Sequence, residues 1–354
     1  LNPVPEPQPV SRTLVIDRPF GMVFLRSAVI IIIAWFVAEM LVRAMVAAGM
    51  IPPPGIGSVN AELDTKLLLL DKYMRENGPV DCFFLGSSQF DEAVDPAVFD
   101  EVFLTESGRQ LRCFNFSLGT MTASPAGRMA RLLVERYHPR LLFIGISARD
   151  FSDDFGELTR PLLDDPWVRY SLGEFSVGGW LTEHSYAYRL MLTLRAYLNP
   201  DYIVFHDRLS YQLTETGYLQ LEGSDLSNPK KNFIPNFSMT REDLAGLDEA
   251  ASLNSDSLQV VYVEVPVHHS FIPYYIHADP DAYELLFAGP ISAYFAEQNL
   301  PFWRTQNIMQ ELVPDKGWTD VKHFNRIGAE IFSTWLARQT AQALKQQAVH
   351  LAGD

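Results

Sequence analysis

Val80 to Gln89 reads VDCFFLGSSQ, an apolar run of strand length that stops at a glycine and is followed at once by two hydroxyl side chains. A short continuous apolar run closed by a turn residue is what a strand buried on both faces of a parallel sheet looks like. The same design recurs at Leu111 to Phe116 (LRCFNF), Leu141 to Ile146 (LLFIGI) and Leu258 to Val265 (LQVVYVEV), with Leu300 to Trp303 as a possible fifth strand. Between them lie helical patterns. Ser124 to Tyr137 opens on a serine cap followed by proline, Ala282 to Gln298 precedes the fifth strand, and a last helix is expected from Arg326 to Gln347. Alternating strands and helices predict an α/β fold, a flavodoxin-like parallel sheet with helices on both faces, whose ligand site lies at the carboxyl ends of the strands.

Outward from this core the organisation changes twice. Phe151 to Asn254 breaks the rhythm with aromatic-rich sequence and reads as a largely helical insertion, 151–254, inside a domain spanning 80–348. Its aromatic residues suit a helical core, or stacking on sugars. Toward the amino terminus, Ser27 to Ala38 (SAVIIIIAWFVA) lies in a segment, 20–50, long enough to cross a hydrocarbon core as one helix. Glu39 and Arg43 interrupt it four residues apart, as an interfacial ion pair or as a polar handle for a partner helix. Arg12, Arg18 and Arg26 precede the apolar run and no basic excess follows it. The positive-inside rule then predicts a cytoplasmic tail at 1–19, a retained single-pass anchor in the cytoplasmic membrane and a main domain outside. Leu1 to Val10 reads as an extended proline-rich arm, and 51–79 as a stiff linker (IPPPGIG, Ile51 to Gly57) with an entry helix.

Composition excludes several classes. Across 354 residues, 43 Asp+Glu against 28 Lys+Arg give a net charge of −15, which argues against nucleic acid as a partner. Cys82 and Cys113 are the only cysteines, too few for a disulfide framework. They fall on strands that can be neighbours, as a disulfide or as two buried thiols. His268 and His269 follow the fourth strand; adjacent side chains point in different directions, so no metal site is expected of them, although His268 can line the pocket. No cofactor is expected.

Four segments meet where a site should form: Gly86 to Gln89, Asn115 to Gly119, Gly145 to Asp150 and Asp320 to His323. A serine hydroxyl needs an imidazole to take its proton, and the imidazole needs a carboxylate to fix its tautomer. Ser88, His323 and Asp320 supply these types, and the Ser88 and Gly119 N–H groups are candidates for an oxyanion hole. Gln89, Arg149 and His268 are possible substrate contacts, although Arg149 and Asp150 also read as a surface pair at a strand end.

The blocks resemble the SGNH (GDSL-like) hydrolase superfamily, in the membrane-anchored branch that includes proteins similar to alginate O-acetylation factors and the teichoic-acid D-alanylation protein. Phe84-Leu85-Gly86-Ser87-Ser88 resembles the first block, with Ser87 where many members carry Asp. Gly119 resembles the glycine block, and Asp320 with His323 the terminal Asp-x-x-His block. Gly145-Ile146-Ser147 departs from Gly-x-Asn, placing Ser147 where an oxyanion donor is usual. The resemblance covers 80–343 without the insertion. It implies a serine O-acetyltransferase or esterase acting on an exported or cell-surface polysaccharide, with a membrane-bound O-acyltransferase as partner. The alternative is a non-catalytic subunit that scaffolds a membrane complex or binds a polymer.

Overall fold

The computed structural model describes residues 18–58, 60–119, 121–151, 162–227, 229, 234 and 237–351. The proline-rich arm, Arg12 and the opening of the insertion at 152–161 lie outside them. The chain divides into two units. The first holds the residues up to Pro53 together with Ser185–Ala187; the second holds Pro54–His184 and Tyr188 onward.

The first unit is built on helix α1 (Arg18–Ala47). Its stretch Met22–Ala47, 26 residues with a mean hydropathy of 2.3, is long and apolar enough to cross a membrane. Glu39 finds its described partners within this unit. Its carboxylate accepts from Arg43 Nε at 2.5 Å, from the Ser185 hydroxyl at 2.8 Å, and from the backbone N–H groups of Tyr186 and Ala187 at 3.0 and 2.9 Å. The Arg43 guanidinium also covers the Tyr186 ring.

In the second unit five strands, β1 (Cys82–Leu85), β2 (Cys113–Asn115), β3 (Leu141–Ile146), β4 (Gln259–Glu264) and β5 (Phe302–Trp303), form one parallel sheet in the order β2-β1-β3-β4-β5. This is the flavodoxin-like order, whose topological switch point falls between β1 and β3. Strand periodicity sends alternate side chains to opposite faces. Phe83 and Leu85 join one core cluster, with Met129 and Leu133 of α5 (Ala123–Tyr137) and Leu63 and Leu70 of α2 (Ala61–Asn77). Cys82 and Phe84 join another, with Phe99 and Phe103 of α4 (Pro96–Ser107) and Phe332 and Leu336 of the last helix (Arg326–Lys345). Burial on both faces explains why the strands read as unbroken apolar runs. Cys82 and Cys113 are in register on neighbouring strands, both buried as free thiols.

Several boundaries differ from the sequence reading for local reasons. Thr122, not Ser124, stands at the N-cap of α5, two residues earlier than the serine-proline signal suggests. The segment expected as one helix from Ala282 begins as a π turn (Tyr283–Ala288) before continuing as Gly289–Glu297. The exit linker is exposed only in part: Pro54 to Ile56 is buried, and the Asp64 carboxylate accepts from the N–H groups of Ile56 (2.5 Å) and Gly57 (3.1 Å).

The insertion contains helices α6 (Pro166–Ser171), α7 (Val177–His184), α8 (Tyr186–Ala196) and α9 (Pro200–Gln212). Its last helix, α10 (Arg241–Ala251), belongs to the sheet's own cover, for it crosses α5 with backbone against backbone. A Cβ on Gly127 would stand 2.1 Å from the Gly246 carbonyl oxygen, so only glycine permits that crossing. After α9 a hairpin-like turn, Leu213 bridged to Leu219, lays the Thr216 carbonyl against the Asn115 N–H at 2.8 Å and covers the outer edge of β2.

Candidate active site

Ser88 opens a four-residue helix, α3 (Ser88–Asp91), directly after β1. The turn is tight because Phe90, fully buried, lies over Gly86 and Gly145; a Cβ on Gly145 would stand 2.2 Å from the Phe90 ring. Asn115 at the end of β2 fastens this turn, donating to the carbonyls of Asp91 (3.2 Å) and Val94 (2.8 Å). Ser88 is thereby held at the switch point, half-buried, with its N–H in the first turn of a helix where no intrahelical acceptor exists.

The Asp320–His323 loop reaches it from the far end of the chain. The Asp320 carboxylate accepts from the backbone N–H of Lys322 (2.7 Å) and of His323 (2.9 Å), and lies 3.0–3.1 Å from His323 Nδ1. Its other plausible duty, capping the following helix, is discharged by Asn325, which accepts from Ile327 and Gly328. Gln89 donates to the Lys322 carbonyl at 3.2 Å and braces the loop against α3. The result is Ser88 Oγ at 3.3 Å from His323 Nε2. With Nδ1–H given to Asp320, Nε2 carries the lone pair that faces the hydroxyl. Burial alone would raise the Asp320 carboxyl, but the His323 hydrogen bond and charge, with the Lys322 N–H, outweigh it and hold it at about 2.

The other candidates are arranged differently from the sequence reading. The Ser147 hydroxyl and N–H both donate to Asp150 Oδ2, at 3.0 and 2.7 Å, so this hydroxyl is engaged inside the turn instead of facing Ser88. Asp150 is buried, and Arg149 does not form a surface pair with it. The Arg149 Nη1 donates to Ser88 Oγ at 3.3 Å. The Gly119 N–H is taken by Glu62 Oε2 at 2.7 Å. His268 bonds Ser270 and Asp315 and stands edge-on to Trp318.

Sequence reading placed the domain boundary after α2, and so missed what α2 brings. Glu62 and Lys66 are buried polar residues of that helix. Lys66 Nζ donates to Asp91 Oδ1 and to the Ser117 carbonyl, each at 2.5 Å. Burial drives the Asp91 carboxyl well up, the Lys66 ammonium pulls it back, and Glu62, hydrogen-bonded to it, pushes it up again. Glu92, with Oε2 at 3.9 Å from His323 Nδ1, is likewise raised by burial and by the Asp91 and Asp320 charges. An acid in the first turn of a helix ordinarily serves only the helix dipole, so nothing in the sequence singled out Glu62. Glu62, Ser88, Glu92 and Gly119 line a cavity of about 640 Å³ whose opposite wall is α9, through Tyr202, Phe205 and Arg208.

No family model and no curated protein matches this sequence. Among solved structures it is similar to a gut microbial diltiazem-metabolizing enzyme, at 11% identity and a TM-score of 0.29, over 74% of this chain. The chain spans 47% of that protein's length.

Proposed function

We propose that the chain is a membrane-anchored serine acyl-transfer enzyme of SGNH type, an O-acetyltransferase or esterase acting on an exported or cell-surface polysaccharide. The observation that carries this reading is the Ser88–His323–Asp320 relay at one strand-end cleft. Ser88 Oγ attacks the acyl carbonyl while His323 Nε2 takes its proton; Asp320 stabilises the imidazolium without accepting that proton. His323 then returns the proton to the leaving group, and a sugar hydroxyl or water releases the acyl group by the same steps in reverse. With Ser147 engaged by Asp150, the developing oxyanion has the Ser88 N–H and the Arg149 guanidinium as its nearest donors, and Gly119 once Glu62 yields. The polysaccharide substrate and a membrane-bound O-acyltransferase partner rest on the resemblance of the sequence blocks.

The test is labelling of the full-length protein in its membrane with a fluorophosphonate. The wild type takes the label, and Ser88→Ala and His323→Ala lose it. Equal labelling of the Ser88→Ala variant, or none of the folded wild type, would overturn the reading. A second reading is favoured by the Glu62 contact: a carboxylate held on the Gly119 N–H suits a non-catalytic domain that scaffolds a membrane complex. That reading requires an unlabelled wild type.

A further inference from the structure

Adjacent histidines usually diverge, yet the rings of His268 and His269 lie side by side, centroids 4.1 Å apart at 42°. Asp315, from a distant segment, completes a cluster in which one donor atom from each residue lies within 4.8 Å of the others. We propose that His268, His269 and Asp315 form a site for a borderline divalent transition-metal ion, Zn2+ being the best match, with the fourth position open to solvent.

Ligand type comes first. Two imidazoles and one carboxylate are the donor set of open, three-ligand zinc sites. Distance agrees: donors about 2.0–2.1 Å from a tetrahedral ion stand roughly 3.4 Å apart, and His268 Nε2 lies 3.3 Å from Asp315 Oδ1. His269 and Asp315 are exposed, so closing the remaining ångström costs only side-chain rotation. His268, by contrast, is held. It is 4% exposed, its backbone N–H donates to the Val321 carbonyl at 2.9 Å, and its Nδ1 lies 2.8 Å from the Ser270 hydroxyl. Nδ1 also accepts from the Ser270 backbone N–H at 3.3 Å, which leaves Nε2–H facing Asp315; ligation through Nε2 moves that proton to Nδ1, where the Ser270 hydroxyl accepts it as the outer-sphere partner.

The location gives the ion a task. Asp315 begins the 3₁₀ turn Asp315–Gly317 that leads into the Asp320–His323 loop, and Val321 lies between those two residues. A bound ion would tie the segment after β4 to the loop that carries Asp320 and His323.

The experiment titrates Zn2+ by calorimetry, and Co2+ by visible absorption, into the untagged full-length chain in detergent after chelator treatment. The wild type binds one equivalent. His269→Ala and Asp315→Asn, both at exposed positions that leave the core intact, weaken binding at least roughly tenfold. His323→Ala and Ser88→Ala leave it unchanged, which separates this site from the acyl-transfer reading. No stoichiometric ion on the wild type, unaltered affinity in His269→Ala and Asp315→Asn (adventitious surface binding), or loss of binding in His323→Ala would each overturn the proposal.

Discussion

At the scale of single residues, the proposed oxyanion site relies on Arg149 where the SGNH block that the sequence resembles would carry an asparagine. An amide would offer a neutral donor; the guanidinium offers a full charge at 3.3 Å from Ser88 Oγ. Charged donors form the stronger hydrogen bonds, and a preorganised one facing developing negative charge acts on the barrier itself. Arg149→Gln should lower the rate of fluorophosphonate labelling by about 10²–10³-fold while leaving the denaturation midpoint nearly unchanged. Arg149→Lys should recover only part of the rate, since a single ammonium cannot reproduce the planar fork. Asp150 makes a different prediction. Burial raises its carboxyl to about 6, against the Ser147 N–H, the Arg149 charge and the hydroxyls of Ser147 and Ser87. Its unfolded value is near 3.9, so between these values the folded chain holds the extra proton and Asp150's contribution to stability falls as pH rises. Urea midpoints of wild type and Asp150→Asn should therefore draw apart between about pH 4 and pH 6, with the variant the less pH-sensitive of the two.

Elements show how much of this was legible beforehand. The four longer strands could be read because each is apolar on both faces and short, which leaves helix an unlikely alternative over so few residues. Ser88, Asp320 and His323 could be read jointly, because the residue types of one chemistry fall in order at a strand end and a loop-to-helix junction, although each alone has an ordinary turn or capping reading. What could not be read was the partner of each donor. Ser147 looked available until Asp150, three residues on, proved to face inward, and Gly119 until Glu62 arrived from a helix assigned to the linker. The first contact is local to one turn and the second is fixed by tertiary packing; neither leaves a periodic trace in sequence. The place of α10 is a case in between. Gly127 and Gly246 are unremarkable in a sequence, yet together they let two helices meet backbone to backbone. Gly127→Ala should cost about 1–3 kcal/mol of stability by overpacking, read as a lower urea midpoint, and Gly246→Ala should act likewise because its Cβ would stand 2.5 Å from Ser124.

On the scale of the whole molecule, the apolar helix Met22–Ala47 predicts behaviour independent of any chemistry. The full-length protein should stay in the membrane fraction through alkaline carbonate extraction, and a chain lacking residues 1–50 should be released. If this helix is a retained anchor, the arginines before its apolar run predict that a phosphatase reporter fused after Gly49 is active outside the cytoplasm; activity only when fused at the other end would reverse the orientation.

The turn that follows α9 sets a limit on how the cleft can open. Because that helix runs straight into the segment whose Thr216 carbonyl shields the margin of β2, swinging the wall aside would strip the sheet of its guard and bare an adhesive strand to its neighbours. Large lid-like excursions of that wall would therefore carry a penalty in self-association.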